Sequence, residues 1–116
     1  MDSILTSIKK MLGIQEDYAH FDADIIFHIN SALMTLTQIG IGPAEGFFIT
    51  TDEQLWTDYL GESMQLEAVK SYIYLKVKML FDPPANGTIV ESMKQQISEI
   101  EWRLMVQTES NTETEV

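Results

Sequence analysis

The chain contains no cysteine. That excludes a disulfide framework, a thiolate nucleophile and any cysteine-ligated zinc site. Basic side chains are scarce: 7 lysines and arginines stand against 18 aspartates and glutamates, for a formal net charge of −11. Such a balance argues against wrapping DNA by phosphate neutralisation. No apolar run approaches the ~18 residues that a membrane-spanning helix needs. The opening MDSILTSIKKMLGI also lacks the basic start, long apolar centre and small-residue cleavage site of a secretory signal. The expectation is a soluble protein made in the cytoplasm, with no membrane contact.

What is present suits one small globular domain. The chain has 116 residues, 45% hydrophobic and 22% charged, both ordinary proportions. A chain of this size can bury roughly two-thirds of its unfolded surface around one modest core. The charge is uneven. Residues 1 to 62 hold 10 acids and 2 bases, whereas residues 65 to 108 hold 5 of each. The end, ESNTETEV, adds three glutamates with a single apolar residue and no periodicity. This divides the chain into a helical domain over residues 1–106 and a disordered acidic tail over residues 107–116.

Helical spacing dominates the rest. Residues 3 to 12 place apolar side chains at 4, 5, 8, 11 and 12, and Gly13 ends the element. Asp22 suits the N-cap of a second helix to Ile39, with Ile25, Ile29, Leu33, Leu36 and Ile39 on its main face and Ala32 among them. GIGPAEG then breaks the chain, and FFIT is a short extended segment without a convincing partner strand. TTDEQLWTDYL reads as a short helix capped at Thr51 or Asp52. A last helix runs from Ile89 to Met105, opened by a Thr88/Glu91 capping box, with Met93, Ile97, Ile100 and Leu104 completing the stripe that begins at Ile89.

The stretch KSYIYLKVKMLFDPP is ambiguous. Its tyrosines and lysines alternate with aliphatic residues, as on a strand with an aromatic-basic face. A strand here would exceed the usual five or six residues and would follow directly on the helix-favouring QLEAVK. As a helix, Leu66, Val69, Ile73, Val77 and Leu80 share one face, Glu67 and Lys70 pair at i, i+3, and Pro83 and Pro84 supply the stop. Helix is the better reading. The fold class is therefore all-α, a bundle of about five helices with a glycine-rich loop between the second and third.

Some apolar residues fall on the wrong side of these wheels: Phe27 and Met34 on the second helix, Leu75 and Met79 on the fourth, Trp102 on the last. A helix apolar on two sides is usually buried on two sides. Leu75 and Met79 fit either a central, wrapped helix or an interface. Phe27, Met34 and Trp102 read better as a subunit or partner interface.

Catalytic signals are weak. Asp24 and His28 lie one helical turn apart and could share a metal, but a polar helix start with a dipole-favoured aspartate explains them as well. Gly40, Gly42 and Gly46 leave a helix without a following lysine, which is not a phosphate loop. No serine, histidine and carboxylate grouping matches a hydrolase signature. The expectation is a non-enzyme with no metal and no cofactor.

Four stretches carry a family likeness: SIKKMLGI, FDADIIFHINSALMTLTQIGIGP, VKSYIYLKVKMLFDPP and ESMKQQISEIEWRL. In order and spacing, over about residues 3 to 104, the chain resembles the small head–tail connector proteins of long-tailed bacteriophages, the adaptor or head-completion family. The resemblance implies a structural virion protein at the head–tail interface, assembled in the host cytoplasm. It further implies a dodecameric ring on the portal protein that extends the DNA channel, helps retain packaged DNA and docks a tail or stopper protein. A head-to-tail ring needs two complementary patches per subunit. Phe27 and Met34 are candidates for one, and Trp102 with Leu75 and Met79 for the other. The loop bearing Ile41, Gly42, Pro43, Gly46, Phe47 and Phe48 is a candidate to face the channel or the portal. Acidic surface would let DNA pass without sequence-specific binding, because it repels phosphates. The alternative is a small helical regulatory adaptor that binds one protein partner.

Overall fold

The structure, a computed structural model, describes residues 2–114, with side chains of the last helix described as far as Glu109. Five helices follow one another: α1 (Ile4–Met11), α2 (Asp22–Ile39), α3 (Trp56–Leu60), α4 (Leu66–Phe81) and α5 (Gly87–Thr114). Among the described residues there is no strand, only an isolated antiparallel bridge between Ser3 and Leu55. The contested stretch is helical, and α4 and α2 are the two central helices: they pack on each other, and each also packs against α1 and α5.

Local chemistry explains where the helices begin and end. The Ser3 hydroxyl caps α1 by accepting the Thr6 N–H at 3.1 Å. Ile4, Leu5 and Ile8 are buried beneath it, and so is Lys9, only 2% exposed. Its ammonium donates to the carbonyls of Glu16 (3.0 Å) and Tyr18 (2.8 Å) and lies 2.8 Å from the Asp22 carboxylate. Three oxygens thus replace the water that burial removes. Asp22 does not cap α2 as expected. The cap position falls on Phe21, and the Asp22 carboxylate serves Lys9 instead.

At its other end α2 closes in a Schellman turn: the Ile41 N–H reaches the Leu36 carbonyl, the Gly40 N–H reaches that of Thr37, and Gly40 sits at φ 104°. Glycine is required there, and again at Gly42, where φ is 83° and a Cβ would lie 2.5 Å from the Tyr59 ring.

α3 starts later than Thr51 or Asp52. Leu55 occupies its cap position, and its N–H donates to the Asp58 carboxylate at 2.9 Å. Thr51 instead belongs to a turn in which Gln54 Oε1 accepts the N–H groups of residues 50 and 51. The Trp56 indole is buried and donates to the Ser7 hydroxyl at 2.9 Å, tying α3 to α1.

Val69, Ile73 and Val77 form the expected core face of α4, joined by Tyr72, and α2 supplies Ile25, Ile29, Leu33 and Leu36. Leu80 and Ile89, both expected in the core, are exposed. They flank the α4–α5 turn, so that end of the hairpin reaches beyond the shared core. The cap of α5 is Asn86, whose side-chain oxygen accepts from Thr88 and Ile89. The Thr88/Glu91 capping box does not form, and Glu91 lies 3.6 Å from Lys94 instead.

α5 continues past Met105 to Thr114. Thr108 packs at Gly40, and Gln107 accepts a hydrogen bond from Gln65, so the helix keeps tertiary partners beyond its expected end. Residues 107–114, expected as part of a disordered tail, are helical, and residues 115 and 116 lie outside the described residues. A helix of 28 residues is about 42 Å long, close to the 48 Å long axis of the molecule.

Replacing Lys9 with alanine strips the Glu16 and Tyr18 carbonyls of their donor and the Asp22 carboxylate of its counter-ion. The expected loss is about 2–4 kcal/mol of folding stability, measured as a fall in the urea midpoint at unchanged slope.

Candidate assembly surfaces

α2 buries one face and leaves another uncovered. Phe27 (70% exposed) and Met34 (65%) stand on that outer face, two turns apart. Between them Asn30 grips the chain after the helix: its amide donates to the Ile49 carbonyl at 2.9 Å, and its oxygen accepts the Ile49 N–H at 2.7 Å. This two-point clasp draws residues 41–50 against α2. Ile41 and Ile49 turn inward and are buried, while Phe47 stacks near the Tyr59 ring with centroids 5.0 Å apart. Phe48 is left outside, 68% exposed.

The result is one continuous surface. A groove of about 480 Å³ runs between α2 and the loop, with Met34, Gln38, Glu45, Phe47 and Phe48 in its walls. A smaller hollow of about 200 Å³ adjoins it at Phe27, Asn30, Ser31 and Met34. The sequence places Phe27 and Met34 on one candidate interface and Phe48 on a separate loop; the structure unites them. Pro43 and Gly46 lie half-buried in that loop and Gly42 is exposed. The missed signal was Asn30, an amide at the edge of an apolar helix with both ends free to pair.

A second surface lies in the α4–α5 hairpin. Met79, Leu80 and Ile97 line a groove of about 370 Å³, flanked by Lys76 and Lys94. Leu75 does not join it: at 8% exposure it is packed inside the subunit, because α4 is wrapped by neighbours on several sides. Met79 is half-buried and borders the groove, and the exposed Leu80 takes the place expected for Leu75. Trp102 is exposed one turn beyond the groove residue Ser98, with Met105 and Val106 exposed farther along the same helix. Another hollow, between α2 and α5, is bordered by Thr35, Glu101, Met105 and Glu109.

Ionisable groups play a secondary part in this arrangement. Burial raises the Tyr59 hydroxyl pKa above the usual tyrosine range; burial first, and then the Glu101 charge, does the same for Tyr72. Both phenols are therefore neutral across the physiological range. Asp24 is exposed at the start of α2 and His28 is half-buried one turn on. Among the described residues no three histidine, cysteine or carboxylate side chains gather as a metal site. No helix of the described residues is long and apolar enough to cross a membrane.

Fold and surface together define a class: a small all-helical domain whose distinguishing features are uncovered apolar grooves on two separate parts of its exterior. The family can be named as well. Residues 4–111 match the sequence model described as phage connector protein, and the chain belongs to that family. Membership assigns it a structural role of the connector type in the phage particle, in association with other head and tail proteins. No curated protein and no solved structure matches the chain.

Side chains inside and outside the subunit should respond differently to truncation. Phe27→Ala and Met34→Ala are expected to change stability by no more than about 0.5 kcal/mol, whereas Leu75→Ala should cost about 2–4 kcal/mol. Chemical denaturation of the three purified variants distinguishes these outcomes.

Proposed function

We propose that the chain is a non-catalytic ring subunit at the head–tail junction, assembling on the portal protein with the portal's twelvefold symmetry. In that position it extends the DNA channel and offers a docking surface for the tail or a stopper protein. The observation that carries this reading is the presence of two apolar grooves that share no residue, one on α2 and its loop, the other on the α4–α5 hairpin. A subunit that closes a ring by repeated head-to-tail contact needs two unlike surfaces, and a protein with a single partner needs one. Connector-family membership supplies the setting.

Residues 45–48 border the α2 groove, so we assign them to the same partner as Phe27 and Met34 instead of to the channel wall. The acidic balance suits a conduit. With a net charge of −11, the subunit repels phosphate wherever its acids face the lumen, and DNA passes without sequence-specific binding.

The test is negative-stain microscopy of the purified protein mixed with the portal protein of the same phage. The expected result is a ring stacked on the portal. Phe27→Asp should abolish that ring while leaving the far-ultraviolet circular dichroism spectrum unchanged. A protein that stays monomeric beside the portal, or that forms only a one-to-one complex with another protein, would overturn the ring in favour of a regulatory adaptor.

A further inference from the structure

The two grooves differ in charge as well as in position. Between Lys10 and Lys70 the sequence has no lysine or arginine. Everything that builds the first surface, α2 and the loop after it, is therefore without a cationic side chain other than histidine. Its fixed charges are acids: Glu45 in the groove wall beside Met34 and Phe48, and exposed Asp24 one turn before Phe27. The second surface has the opposite bias. Two of the chain's 7 basic residues, Lys76 and Lys94, flank Met79, Leu80 and Ile97.

Both lysines are available. Among the described residues Lys76 makes no ion pair, and its ammonium stands 5.9 Å from the Tyr72 ring centroid. Lys94 has only a 3.6 Å contact with Glu91, one helical turn away, and both side chains are more than half exposed. Exposed pairs of that kind hold their partners weakly.

We propose that these two surfaces are each other's partners: the acid-rimmed groove of α2 and its loop receives the lysine-flanked α4–α5 hairpin of a second copy of this chain. This assignment rests on the ring reading and specifies its subunit contact. The alternative contacts are electrostatically worse. Placing the α2 surface against itself sets Glu45 and Asp24 against their own copies, in a protein that already carries a net charge of −11. Pairing the hairpin groove with itself brings four lysines together. Joining unlike surfaces brings Lys76 and Lys94 to the acids, while Phe48, Phe27 and Met34 meet Leu80, Met79 and Ile97. Such a contact is heterologous, and repetition of it closes a ring or propagates a filament.

Because the chain has no cysteine, introduced thiols report contacts without background. In a Phe48→Cys/Leu80→Cys double variant, mild oxidation should yield a ladder of dimer, trimer and larger species on a non-reducing gel. Each single variant should remain monomeric, and a mixture of the two singles should stop at dimer. Charge reversal gives an independent readout. Glu45→Lys and Lys94→Glu should each weaken self-association about tenfold or more, since like charges then face each other. Mixing the two variants should restore it, through alternating subunits.

Dimers from either single cysteine variant would show a self-paired surface and overturn the assignment. Rings visible by microscopy, with no ladder and silent charge reversals, would overturn this subunit contact and leave the ring standing. Absence of both rings and ladder would remove the two together.

Discussion

Lys9 is a cation held where little water reaches, and the position of α1 depends on it. The ammonium draws together the Glu16 and Tyr18 carbonyls from the link after α1 and the Asp22 carboxylate at the start of α2. A buried charge of this kind tolerates only small displacements, because each lost oxygen leaves part of the desolvation cost uncompensated. Once α1 is fixed against α2, its N-terminal residues fix the loop beyond. The Ile4 N–H donates to the Gln54 carbonyl, and Ser7 accepts the Trp56 indole. α3 then stands where Tyr59 can meet Phe47 and fill the space above Gly42. The loop beside Tyr59 is then held against α2 by Asn30, which leaves Phe48 exposed.

The same chain of contacts separates what the sequence discloses from what it hides. Apolar spacing is local, so the helices could be read from it, including α4, whose alternating tyrosines and lysines imitate a strand. The faces of α4 were harder. Leu80 continues the Val69–Ile73–Val77 row on a wheel, yet it lies past the neighbouring helices and is exposed. Tyr72 and Leu75 lie off that row, yet both are buried, because α4 has α1, α2 and α5 around it. A wheel describes one helix, and burial depends on how many others surround it.

The candidate surface shows the limit more sharply. Phe27 and Met34 were legible as unexplained apolar residues because they share a helix. Phe48 was legible only as part of a glycine-rich loop. The step that unites them is the Asn30 clasp on Ile49, a contact across 19 residues of chain. Nothing in local periodicity encodes it. Helix ends depend on such contacts too: Asp22 and Thr88 are good capping residues in isolation, but the Asp22 carboxylate pairs with Lys9, and Asn86 caps α5 two residues before Thr88.

Segregated charge gives these surfaces a physical rationale. Uncovered phenylalanine, methionine and leucine side chains invite indiscriminate contact, and a small protein that displays them needs a counterweight. A strong net negative charge is one, because like-charged molecules repel each other at long range. Long-range repulsion opposes every approach about equally, whereas the few lysines lower the barrier only where they face acids. In the proposed contact, confining Lys76 and Lys94 to one groove and excluding lysine and arginine from the other would make the apolar faces selective. Apolar area then provides the adhesion, while the placement of a few charges determines which surfaces can meet.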